Sequence, residues 1–139
     1  MGELFTAALN RGVSLYAPVL ADDRLAFHAF DADSTLTLNR YGILEPDGGA
    51  AIDARSLDLV LTPLVGFDRA GARLGMGKGY YDRTFRFLRH RRCWRKPKLI
   101  GVGFAFQEVT SLMTESWDIA LWGIVTDAGA MCFRRSLQQ

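Results

Sequence analysis

Cysteine, histidine and proline are all scarce in this chain: 139 residues carry two, two and four of them. Cys93 and Cys132 stand far apart and form neither a CxxC pair nor a zinc-type quartet, which excludes a disulfide-stapled scaffold. Two buried or reduced thiols in a cytoplasmic protein is the plain reading. No apolar run reaches the roughly 18 to 20 residues that span a bilayer. The opening, Met1 to Phe5, lacks the basic and apolar regions of a secretory signal, so neither membrane insertion nor export is expected. Disorder is excluded as well, because 49% of residues are hydrophobic and 12% aromatic. At this length a single domain spanning 1–139 is expected.

Acidic residues are missing from one stretch. Between Arg83 and Lys98 there are eight lysines and arginines and no Asp or Glu, which leaves 9 basic against 15 acidic residues elsewhere. Such a block marks a solvated helix face, the favoured reading, or a surface that meets anions. A nucleic-acid module would interleave these cations with exposed aromatics. Only Trp94 fits that pattern, while Phe85, Phe87 and Leu88 look committed to packing, so nucleic acid is the weakest partner.

Leu4, Phe5, Ala8 and Leu9 recur at helical spacing, with Gly12 placed as a C-cap. Strands are predicted at 13–17, closed by Pro18, and at 25–30 after an Asp22-Asp23 turn. Residues 31–56 read as surface loops around one short element. The run Leu57 to Thr62 is apolar almost throughout, as in a strand covered on both faces. Tyr80 to His90 reads as a helix, and 98–106 and 119–126 as further buried strands. Strand, helix, strand in this order predicts an α/β fold, a three-layer sandwich with a largely parallel, Rossmann-like central sheet.

Between the strand and that helix lies R-L-G-M-G-K-G-Y-Y-D, residues 73–82, with glycines at 75, 77 and 79 and cations at 73 and 78. Alternating glycines let successive backbone N–H groups turn toward one point, and the helix start aims its positive end at the same place. That is the chemistry of a phosphate cradle. It is not a Walker A loop, since Gly79 follows the lysine, and the glycine spacing is wrong for a dinucleotide fingerprint. Pattern alone leaves a plain glycine loop open.

This string, with T-P-L-V-G-F-D before it, resembles the signature of the 5-formyltetrahydrofolate cyclo-ligases. The likeness continues through L-I-G-V-G-F-A-F-Q at 99–107, W-D-I at 117–119 and I-V-T at 124–126, and upstream through L-Y-A-P-V-L at 15–20 and Y-G-I-L-E-P at 41–46. The resemblance implies an enzyme that uses ATP and magnesium to convert 5-formyltetrahydrofolate to 5,10-methenyltetrahydrofolate, releasing ADP and phosphate. It places Arg73, Leu74, Gly75, Met76, Gly77, Lys78, Gly79, Tyr80 and Tyr81 around ATP. Of these, Met76, Gly77, Lys78, Gly79 and Tyr80 would also touch the folate, and Lys78 and Arg73 would carry catalysis. Asp82 and Asp118 match the family's magnesium carboxylates, against the plainer readings of a first-turn helix acid and a turn acid. The glutamate tails of folates are anions that would suit the basic block.

Other residues carry less. His28 and His90 read as packing or surface histidines, and Trp94, Trp117 and Trp122 as packing tryptophans. Tyr81 faces the core and Tyr80 the site, with Glu45 a candidate border of the folate pocket. Family members begin with a basic helical segment, a strand and a glutamate-bearing loop, and this chain is expected to start within the helix after that loop. Glu3 lies too close to the strand at Val13 to serve as that glutamate. Two consequences are expected: self-association through an exposed sheet edge or apolar face, and nucleotide and folate binding with poor turnover.

Overall fold

Residues 2–91 and 96–133 are described in the computed structural model of the chain, which divides into two compact units, 1–54 and 55–139. In the first, helix α1 (Gly2–Asn10) ends where Gly12 takes φ +69° and donates its N–H to Leu9 O at 2.9 Å. Glycine adopts that conformation without the steric penalty a Cβ would bring. The chain then forms β1 (Tyr16–Ala21) and β2 (Arg24–Ala29), joined by the tight turn predicted at Asp22-Asp23. Pro18 lies inside β1 rather than closing it. That strand is an edge of its three-stranded sheet, where a missing N–H need cost no ladder bond. The stretch expected to be loops holds a hairpin, β3 (Leu36–Leu38) and β4 (Leu44–Pro46), followed by β5 (Ala51–Ile52) paired to β2.

The second unit is the α/β part. Its strands are β6 (Leu59–Pro63), β7 (Gly66–Phe67), β8 (Arg73–Leu74), β9 (Lys98–Val102), β10 (Gly123–Thr126) and β11 (Gly129–Cys132), with α2 (Tyr80–Phe85) between β8 and β9. One mixed sheet runs β11-β10-β9-β6: the β6, β9 and β10 pairings are parallel and the closing hairpin is antiparallel. The α/β expectation with a largely parallel sheet therefore holds.

Coverage on both faces does not. Along β6, Val60 and Thr62 are buried while Leu59, Leu61 and Pro63 are exposed. By register Leu61 shares a face with Ile100, and Pro63 with Val102 and Val125, so one sheet face leaves Leu59, Leu61, Val102 and Val125 open. The opposite face buries Val60, Leu99 and Ile124, with Leu121 and Leu64 close over Gly101. Gly101 permits that approach, since a Cβ there would lie 2.8 Å from both Leu121 and Leu64. No helix among the described residues is long and apolar enough to cross a membrane.

Candidate functional site

Ligands of open parallel sheets gather where the strands end at their carboxyl side. Here three connections leave that edge together. β6 runs into β7, a turn, β8 and the glycine loop; β9 runs into Gly103–Gln107; β10 runs into Asp127. β7 and β8 pair antiparallel, with Gly66 opposite Leu74 and Phe67 opposite Arg73. The turn between them is organised by Asp68, a buried carboxylate. Its Oδ1 accepts from Ala70 N and Ala72 N at 2.9 and 3.0 Å, and its Oδ2 from Leu112 N at 2.9 Å. Sequence reading gave Asp68 no role, although Asp68-Arg69-Ala70-Gly71, with a glycine three residues after the aspartate, is a recognisable self-bonding turn.

Beneath the glycine loop lies a cation. The Arg73 guanidinium donates from Nη2 to Asp82 Oδ1 at 3.1 Å, with only 6% of its side chain exposed against 21% for Asp82. The same Asp82 oxygen accepts Ile119 N–H at 3.1 Å. Arg73 Nη1 lies 3.1 Å from where a Cβ on Gly75 would sit, and its Cζ is 5.4 Å from the Tyr81 ring centroid. Arg73 Nε is buried with no hydrogen-bond partner among the described residues. Burial pushes the Tyr81 hydroxyl above the ordinary tyrosine value of 10.0, with Arg73 pulling the other way. Arg73 and Tyr81, expected around ATP, thus face inward. Tyr81 also stacks on Phe85, as the core reading expected.

The outer side of the loop is open. Met76, Gly77 and Lys78 are exposed, and nothing lies within 4 Å of a Cβ built on Gly77. Gly77 and Gly79 take φ +80° and +65°. Leu74, also exposed, anchors the loop's start by accepting Val65 N–H at 2.7 Å. At the far end Arg83 donates to Lys78 O at 2.7 Å and lies over the Tyr80 ring at 5.2 Å. Arg83, read as part of a solvated face, therefore braces the loop. The helix that follows is shorter than predicted: α2 covers Tyr80–Phe85 only, and 86–90 continue as a 3-10 turn. A helix this short adds little dipole at the loop.

Of the two carboxylates expected to hold magnesium, Asp82 accepts the backbone N–H of Ile119, the residue after Asp118. Asp118 Oδ2 accepts Glu115 N–H at 2.8 Å, in keeping with a turn acid. Each carboxylate keeps its second oxygen outside those bonds. No group of three or more His, Cys, Asp or Glu side chains is assembled for a metal among the described residues. Two carboxylates still fit magnesium, which takes one or two such ligands plus phosphate oxygens and water.

Several other candidates move. Glu45 Oε1 accepts Leu20 N and Asn39 Nδ2 at 2.9 and 2.7 Å, an internal staple of the first unit. Trp117 is largely exposed, so packing does not account for it; Trp122 carries Lys98 Nζ 4.1 Å above its ring, and Trp94 and Cys93 lie outside the described residues. Cys132 is a free thiol that is exposed rather than buried. Phe85 is 0% exposed, which removes it as a base-stacking residue in the basic block. A cavity of about 410 Å³, lined in part by Arg89, Lys98, Asp118 and Trp122, opens at the amino end of β9, the opposite end of that strand from the loops.

The family model for "5-formyltetrahydrofolate cyclo-ligase family" matches residues 2–127. The chain belongs to this family. A 5-formyltetrahydrofolate cyclo-ligase of Haemophilus influenzae is 37% identical over 136 residues, 89% of this chain and 70% of the relative. One of Escherichia coli is 38% identical over 135 residues, 90% and 72% of the two chains. Among solved structures, the 5,10-methenyltetrahydrofolate synthetase of Aquifex aeolicus matches with a TM-score of 0.77 and 31% identity over 99% of this chain and 68% of that one. The Mycoplasma pneumoniae synthetase, at 24% identity and a TM-score of 0.67, covers 91% and 64% and supports the fold. The family is one of enzymes, so the loop geometry above belongs to a cyclo-ligase scaffold.

Proposed function

We propose that this cyclo-ligase family member uses ATP to close 5-formyltetrahydrofolate into 5,10-methenyltetrahydrofolate, with release of ADP and phosphate. The observation that carries the reading is the glycine loop at the carboxyl edge of the parallel strands, open above and underlain by a buried guanidinium. The formyl oxygen is a poor leaving group until it accepts the γ-phosphoryl group. Folate N10 then attacks the activated carbon, the C–O bond breaks and phosphate departs. Such transfer needs positioning and charge neutralisation more than covalent help from the protein.

Each part of the loop has a task in that scheme. The N–H groups of residues 75–79 would cradle phosphate oxygens, and Lys78 would act as a point charge on the moving phosphoryl group. Arg73 would raise the potential from below without touching the ligand. Asp82 and Asp118 are the carboxylates that would hold magnesium, whose charge would neutralise the phosphates. Polyglutamylated folates would gain from the basic block between Arg83 and Lys98. Incubation with 5-formyltetrahydrofolate, ATP and magnesium should give methenyl product and ADP in equal amounts. Methenyl formation indifferent to ATP, or no product with both substrates bound, would contradict it.

A further inference from the structure

The connection after β9 carries two aromatic rings that no role above has absorbed. Phe104 and Phe106 stack with centroids 5.6 Å apart and ring planes 12° from parallel, yet they are 56% and 82% exposed. Exposed phenylalanines on a slack loop would collapse onto apolar surface, but this turn is held rigidly. Phe104 N donates to Gln107 Oε1 at 2.7 Å, and Ala105 N to Asp127 Oδ1 at 2.7 Å. Gln107 Nε2 reaches Leu64 O and Val65 O, both at 3.2 Å, tying the turn to the end of β6. Gly103 makes room for that glutamine, since a Cβ there would lie 2.6 Å from Gln107 Oε1. The polar groups are spent on holding the turn, and the rings are left outward.

Their place matters as much as their exposure. Glu108 bridges to Phe67, and Phe67 pairs with Arg73 at the root of the glycine loop. Two inter-strand spacings, roughly 10 Å, thus separate the aromatic turn from that root. A ligand with its charged or reacting part at the loop would bring a ring system near Phe106.

We propose that Phe104 and Phe106 form a stacking platform for the flat nitrogen heterocycle of a bound ligand. It rests on the cyclo-ligase reading, under which two ligands carry such a ring: the nucleotide its adenine and the folate its pterin. An outward face of Phe106 extends the existing two-ring stack to a third member, and an aromatic ring accepts any such heterocycle through its π-face.

The test is calorimetry of the wild type and a Phe104→Ala/Phe106→Ala variant against three probes: a nonhydrolysable ATP analogue with magnesium, 5-formyltetrahydrofolate, and inorganic tripolyphosphate. The variant should lose roughly ten- to hundredfold in affinity for one ring-bearing probe, the scale of losing a stacked base. It should bind tripolyphosphate, which has charge but no ring, as the wild type does. Whichever probe weakens names the source of the ring. Phe106→Tyr should retain affinity and Phe106→Leu should not, separating stacking from apolar bulk, and thermal melting checks that all variants remain folded. Unchanged affinity of the double variant for both ring-bearing probes would overturn the platform while leaving the cyclo-ligase reading intact. Failure of the wild type to bind either would overturn both.

Discussion

The two sides of the glycine loop differ in almost every physical respect. Below it, Arg73, Tyr81 and Asp82 are buried or half-buried, bonded to one another and to Ile119 N–H. Above it, Met76, Gly77 and Lys78 stand in solvent. A single ten-residue string supplies both, because the chain leaves β8, crosses the loop and turns into α2. The underside is the loop's foundation, and under the proposed function the outer side is its contact surface. Changes below should therefore register first in stability, and changes above first in ligand binding and turnover.

Asp82→Ala is the strongest way to break that division. It leaves a buried guanidinium without its carboxylate, and stranding one partner of a buried pair costs about 3 to 5 kcal/mol. The lower end applies, since Asp82 keeps some exposure. Urea denaturation should show this loss, and an unchanged midpoint would mean that Arg73 reaches water instead. Lys78→Ala should do the opposite: the denaturation midpoint stays put, while methenyl formation slows by on the order of 3 kcal/mol in the transition state. Equal turnover would show that the Lys78 ammonium takes no part in the transfer.

The contrast also explains what could be read from residues alone. The α/β class, the strands at 25–30 and 57–62, the Gly12 cap and the loop itself follow from periodicity and glycine placement, which are local signals. The direction of Arg73 does not, because an arginine beside glycines reads as a phosphate ligand until its burial is seen. Nor does the bond of Asp82 to Ile119 N–H, which is set by a contact 37 residues away, while the magnesium role of Asp82 rests on the family resemblance alone. Leu59 and Leu61 looked like residues of a doubly covered strand, yet apolar identity cannot report whether anything packs above them. The 3-10 turn at 86–90 escaped because its arginines sustain helical spacing without holding α geometry.

Smaller effects sharpen the same picture. Asp118→Asn should raise the magnesium needed for half-maximal rate several-fold without moving the melting temperature much. An unaltered magnesium titration would reduce Asp118 to the acid of the 115–118 turn. Tyr81 gives a pH signature from the underside. Its folded-state pKa is raised by burial, so its contribution to stability is complete below the usual value of 10.0 and is lost as pH climbs toward the raised one. Tyr81→Phe should flatten part of the alkaline fall in stability, and an identical alkaline profile would place the hydroxyl in water.

Binding of a nonhydrolysable ATP analogue, measured calorimetrically with and without magnesium, tests the central claim most directly. Gly77 and Gly79 hold left-handed backbone that side chains resist at about 1 to 2 kcal/mol each, and a Cβ on Gly79 would lie 2.8 Å from Arg83 Nη1. Wild type should bind in a magnesium-dependent manner, and a folded Gly77→Val/Gly79→Val variant should lose that binding. Equal affinity in the two proteins would contradict the assignment of the nucleotide to this loop.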